Sequence, residues 1–113
     1  MTTTGTIPAA EALRLADLIS PTERGIASRV LAKTGCGNLT LFAFDQGEGL
    51  SEHTAPFDAL VIVLAGLLSL TIDGKIVAAT PGTIVRMPAS VPHSVEATTA
   101  SRMLLVMLRE PKA

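Results

Sequence analysis

The 113-residue chain has no Trp, no Tyr and only three aromatic rings of the Phe type, at Phe42, Phe44 and Phe57. Nine basic residues stand against ten acidic ones, spread without runs, for a formal net charge of −1. Nucleic-acid binding needs phosphate-neutralising cations, often helped by stacking aromatics; with little of either, no nucleic-acid partner is expected. The single cysteine, Cys36, excludes an intrachain disulfide framework and a cysteine-rich zinc site. It sits in the turn-like run Thr34-Gly35-Cys36-Gly37-Asn38 and reads as an incidental loop residue. No basic segment precedes an apolar one at the start, so no signal peptide is expected. The longest strongly apolar run, residues 59–70, is broken by Gly66 and too short to span a bilayer as a helix. These absences lead to the expectation of a soluble, cytoplasmic protein with no membrane partner.

What the chain does have is apolar mass. Hydrophobic residues make up 48% and charged residues 17%, a balance that excludes disorder and fits one compact domain. So much apolar content on a small domain points to a subunit interface, and a homodimer is expected. Residues 1–6 read as a loose polar arm. Residues 9–19 carry Leu13, Leu15, Ala16 and Ile19 near helical spacing, consistent with a short helix or with an extended segment at 15–19 that packs on a sheet edge or a partner subunit. Residues 20–22, with Pro21, stop whatever forms there. The chain thus divides into an arm over residues 1–22 and a main domain over 23–113.

From Ile26 onward the texture is that of strands. Alternation and turn signals predict strands at 26–33, 39–45, 60–65, 67–72, 76–79, 83–87 and 102–108. Asp73-Gly74 between two apolar runs is the strongest local signal, because a type I′ hairpin needs positive φ at both central positions. Many short strands separated by Gly and Pro turns point to an all-β fold, an antiparallel barrel or double-sheet jelly roll. Phe42, Phe44, Met87, Met103 and Met107 are expected to fill the core or an interface; an interior lined by Met and Phe also suits a small apolar ligand. Arg86 and Arg102 alternate with apolar residues and can point outward or reach the barrel mouth to grip a carboxylate.

Two stretches resemble the motifs of the cupin superfamily, G-x5-H-x-H-x3,4-E-x6-G and G-x5-P-x-G-x2-H-x3-N. The first fits without a gap from Gly47: His53 takes the first histidine position, Ala55 the second, Ala59 the glutamate position, and Gly66 closes it. The second fits from Gly82, with Pro88 in place, Ser90 for the small glycine, His93 in the histidine position and Ala97 in the asparagine position. The stretches 49–61 and 87–93 also look like those of a subgroup of small bacterial cupin-2 proteins, a likeness that implies the fold and no particular reaction.

The resemblance implies a double-stranded β-helix, the cupin jelly-roll barrel, with His53 and His93 facing one cavity. In metal-binding cupins three histidines and a carboxylate hold the ion, a set suited to Zn, Ni, Mn, Fe or Cu. Here two of the four positions are alanine, so the implied cofactor is one divalent transition metal on a weak site, or none. A bulge near Pro56 would turn Asp58 inward to complete a set of His53, His93 and Asp58. Glu48 and Glu52 read as solvated loop acids. The expected ligand pocket comprises His53, His93, Phe42 and Met87. Three functions stay open: a small-molecule-binding barrel with a non-standard metal site; a metal-dependent enzyme of dioxygenase, isomerase or decarboxylase type; and a structural dimer that has lost its site. The cupin fold hosts all three.

Overall fold

The computed structural model describes residues 6–20 and 23–110. The polar start at 1–6 and the stop at 20–22 therefore lie wholly or partly outside the described residues. Among the described residues, nine antiparallel strands form two sheets: β1 (Ile26–Thr34), β2 (Gly37–Phe44), β3 (Gly49–His53), β4 (Asp58–Ala65), β5 (Leu68–Ile72), β6 (Lys75–Ala79), β7 (Ile84–Met87), β8 (His93–Ala97) and β9 (Ser101–Leu108). One sheet runs β1-β2-β9-β4-β7 and the other β3-β8-β5-β6. The all-β jelly roll is therefore as the sequence predicts, and all seven predicted strands are present. The two strands that the hydrophobic pattern missed, β3 and β8, are the ones that carry the histidines.

Why these segments are strands is visible in their burial. In β4, Ala59, Val61 and Val63 are buried and alternate with half-buried Leu60, Ile62 and Leu64. In β9, Ser101, Met103 and Leu105 do the same. Opposed residues on paired strands share a face, so Val61↔Leu105 and Val63↔Met103 meet inside. There they join Phe44 from β2 and Leu68 and Leu70 from β5 in one core. The Asp73-Gly74 turn joins β5 to β6 as expected: Asp73 and Gly74 have φ of 51° and 80°, and Ile72 pairs with Lys75 across it.

The outer face of the five-stranded sheet is apolar as well, and the N-terminal arm covers it. Among the described residues of the arm, Leu15–Asp17 form the one helical turn, of the 3-10 kind. Ile19 joins Leu31, Leu41 and Ala43 in a second core with Ile7 and Leu18 against it. The Ile7 amide donates to the Leu31 carbonyl (2.9 Å), and the Arg29 guanidinium donates to the Leu18 carbonyl (3.2 Å). Of the residues whose spacing suggested a helix, only Ile19 is buried on the sheet, while Leu15 stays 39% exposed, so the spacing did not mark a buried helical face.

The corner between β4 and β5 tests the packing. Gly66 adopts φ +82°, and a Cβ there would meet the Ala100 carbonyl oxygen and the Ser101 hydroxyl. That hydroxyl braces the corner by accepting from the Leu67 amide (3.0 Å). Gly82 has a similar φ of +85° but open space around it. Gly82→Ala is expected to cost the left-handed backbone penalty alone, about 1–2 kcal/mol. Gly66→Ala adds a backbone clash and is expected to cost clearly more in urea denaturation. Equal losses would show that the corner yields freely.

Candidate functional site

His53 ends β3 and His93 begins β8, and the two residues pair directly across the ladder. Their approach depends on an irregularity upstream. Leu50 pairs with Val95 and His53 with His93, so three steps along β3 answer two along β8. One extra residue at Ser51–Glu52 therefore forms a bulge. Without it, strict alternation would aim His53 to the opposite side from inward-facing Leu50. With it, both rings reach the same end of the barrel interior, centroids 4.4 Å apart and 72° between planes.

The hydrogen bonds around the rings determine what they present. His53 Nδ1 lies 2.8 Å from the Ser51 carbonyl oxygen, and His93 Nδ1 lies 3.1 Å from that of Val91. A carbonyl oxygen only accepts, so each Nδ1 carries the proton. In the neutral rings both Nε2 atoms are then bare lone pairs, and they face each other at 3.2 Å. A proton shared between them would make one ring an imidazolium. The site opposes this: burial first, and the charge of His53 second, push the His93 imidazole below its ordinary value of 6.5, while the Val91 carbonyl pulls the other way. His93 is 3% exposed and His53 is exposed at the rim.

Geometry discriminates between candidates that could meet both lone pairs at once. A water about 2.9 Å from both nitrogens would subtend roughly 70°, far from the roughly 105° opened by its two O–H bonds, so it donates poorly to both. A metal ion about 2.05 Å from both would subtend roughly 100°, near the tetrahedral angle. Backbone carbonyls that hold the other ring nitrogen are also the usual partners of metal-ligating histidines. The pair fits a transition-metal ion.

The cavity beside the pair has a volume of about 70 Å³. Ala55 and Ala59 line it, together with Met87, Met103, Met107, Phe57, Leu50, Val95 and Leu105. Of the residues expected at the site, His53, His93 and Met87 are brought together. Phe42 is not among the walls: it pairs with Met103 on β9 and stacks on Phe44 at 5.8 Å. Asp58 is not brought to the pair either. The β4–β9 ladder runs in step from Asp58 through Val63, so alternation puts Ala59 inside and Asp58 outside. There its carboxylate accepts from the Ala89 amide (2.8 Å) and pairs with Arg86 (2.9 Å). These two contacts, in that order, hold Asp58 below the usual carboxylate value. Arg86 is thereby an outward surface charge, and Arg102, opposite Ala43, also belongs to the outer face. Among the described residues no third His, Cys, Asp or Glu joins the histidines. Cys36 is exposed in the β1–β2 turn.

Sequence reasoning missed Phe57, Leu50 and the two carbonyls of Ser51 and Val91. Each carbonyl stands two residues before its histidine, a spacing that could have been read; the bulge could not. Phe57 lies under the Arg109 guanidinium, 4.8 Å from its ring centroid, a contact 52 positions away in sequence.

Comparison with known proteins agrees with this architecture. A family model described as the Cupin domain matches residues 40–108. Among solved structures, a conserved protein of unknown function from Streptococcus pyogenes is 33% identical, with TM-score 0.89, covering 100% of this chain and 98% of that one. A cupin superfamily protein from Desulfitobacterium hafniense DCB-2 is 28% identical, with TM-score 0.87, over 96% and 100%. A cupin 2 conserved barrel domain protein from Leptotrichia buccalis is 36% identical, with TM-score 0.82, over 86% of this chain and 47% of that one. No curated protein matches the chain.

The His93 shift has a measurable sign. The neutral ring is favoured in the fold, so the unfolded chain binds the proton more readily. The stability from this site is complete above 6.5 and is lost as pH falls from there through the lower value of folded His93. In the metal-free protein, NMR titration is expected to place His93 below an ordinary histidine. His53→Ala, which removes the second cause and leaves much of the burial, should raise it only part of the way. Full return to the ordinary value would contradict burial as the main cause.

Proposed function

The chain belongs to the cupin family, and from that premise we propose that its barrel is a binding module in which His53 and His93 hold a transition-metal ion that presents open positions to a small ligand. One observation carries this reading: two bare Nε2 atoms 3.2 Å apart, each with its Nδ1 tied to a carbonyl. A bound ion would supply Lewis acidity to a ligand atom. The protein supplies the rest. The carbonyls fix ring tautomer and orientation, and the apolar walls exclude water. At about 70 Å³, the cavity is far below the roughly 300–1,000 Å³ of pockets for drug-sized molecules, so it suits an ion with a ligand of a few atoms.

Binding is favoured over turnover because, among the described residues, no carboxylate lines the cavity to act as acid or base. An enzyme built on His53, His93 and Asp58 would need Asp58 to leave both Arg86 and the Ala89 amide. A scaffold that had lost its site would have no use for two rings oriented with matched lone pairs. The proposal extends to a second copy of the chain: Ile76 and Ile84, 72% and 60% exposed, sit on edge strands β6 and β7 and support a homodimer. Light scattering at micromolar concentration is expected to give twice the chain mass; a monomer would rule the dimer out.

The metal reading is tested by titrating chelator-treated protein carrying Cys36→Ser, which removes the exposed thiol, with Cu(I), Cu(II), Ni(II) and Zn(II). At least one of these ions is expected to bind at one equivalent per chain, and His53→Ala should weaken that binding by at least about tenfold. His53 is exposed, so the variant is expected to fold. Unchanged affinity in this variant, or no stoichiometric binding of any ion, would overturn the proposal.

A further inference from the structure

The walls of the cavity contain an unusual set of possible donors. Beyond the two imidazoles, the only side-chain heteroatoms lining it among the described residues are the thioether sulfurs of Met87, Met103 and Met107. Pairing explains their convergence. Met87 on β7 and Met107 on β9 both sit directly opposite Ala59, one on each side of it. All three therefore share the inner face of the sheet, and the alanine methyl leaves room between two methionines. Met103 lies on that same face of β9, four residues before Met107. Asn38 Nδ2 makes a long contact to Met107 Sδ (3.9 Å), which draws that sulfur toward β2. Met87 and Met103, 3% and 0% exposed, are the two fully buried thioethers of the cavity.

We propose that this cavity is a soft-donor site selective for copper in its +1 state, with the sulfurs of Met87 and Met103 joining the nitrogens of His53 and His93. This rests on the reading that the histidine pair holds a metal ion. Two arguments select the ion. The first is softness: thioether and imidazole donors favour Cu(I), whereas hard divalent ions seek carboxylate, carbonyl and water oxygens. The second is charge. Neutral imidazoles and thioethers bring no negative charge, and the cost of burying an uncompensated ion grows as the square of its charge, about fourfold greater for +2 than for +1. An apolar pocket without a carboxylate therefore discriminates against divalent ions in general.

The test uses the full chain carrying Cys36→Ser, because the exposed thiol would itself take up Cu(I). Affinities for Cu(I), kept reduced with ascorbate, and for Zn(II) are measured by competition with chromophoric chelators, and the Cu(I) complex is examined by X-ray absorption. The expected result is a single Cu(I), held at least about 100-fold more tightly than Zn(II), with sulfur among its neighbours. Met87→Leu with Met103→Leu nearly conserves volume, so the fold should persist. This pair of changes is expected to weaken Cu(I) at least about tenfold and leave Zn(II) unchanged. A Cu(I) complex with nitrogen neighbours alone, or equal affinity for the two ions, overturns the soft-site inference and leaves the histidine reading standing. If neither ion binds at one equivalent, the soft-site inference falls, and the histidine reading falls with it only if Cu(II) and Ni(II) also fail to bind. The absorption spectrum requires no change at Met87 or Met103, so the outcome does not depend on the methionine variants folding.

Discussion

The barrel interior depends on one constraint: residues opposed across an unbroken antiparallel ladder point to the same face. Strand β9 is paired along its whole length with β2 on one side and along most of it with β4 on the other. One set of alternate residues, including Met103 and Leu105, thereby defines the inside for three strands at once. Phe44, Val61, Val63, Leu68 and Leu70 complete the filling. Each such side chain contributes about 1.5–3 kcal/mol when fully buried, and slipping any strand by one residue would turn its whole inner set to the outside. The same rule sends Asp58 outward and Ala59 inward.

The histidine site exists because the four-stranded sheet breaks the rule between Leu50 and His53. The extra residue of β3 at Ser51–Glu52 rotates His53 onto the face of Leu50 and brings it opposite His93. A β-bulge costs local pairing and adds twist, and here it lies on an edge strand, where little pairing is lost. The two carbonyls that fix the rings come from residues just before the histidines, Ser51 within the bulge and Val91 within the turn that enters β8. Irregular backbone thus provides the acceptors that regular ladders would have consumed.

Apolar burial on both faces of one sheet shapes the remainder. The inner face packs against the second sheet, while on the outer face Ile7, Leu18 and Ile19 of the arm pack on Leu31, Leu41 and Ala43. Strand β2 shows both demands in consecutive residues: Leu41 and Ala43 turn to the arm and Phe42 and Phe44 to the barrel. This accounts for part of the high apolar content of so small a chain.

The local sequence determined much. Period-two alternation marked seven strands, Asp73-Gly74 marked its hairpin through the φ it needs, and the resemblance to the cupin motifs singled out His53 and His93. It did not mark β3, whose Ser51, Glu52 and His53 are exposed and show no alternation, nor β8, whose inner residues include small Ala97 and polar His93. A bulge was anticipated at Pro56 and lies instead at Ser51–Glu52, which exchanges Asp58 for the thioethers as neighbours of the histidines. Only the tertiary structure could decide this. The position of a bulge is set by which residues on a strand 40 positions away take up its amides and carbonyls, and that pairing is written in neither strand alone.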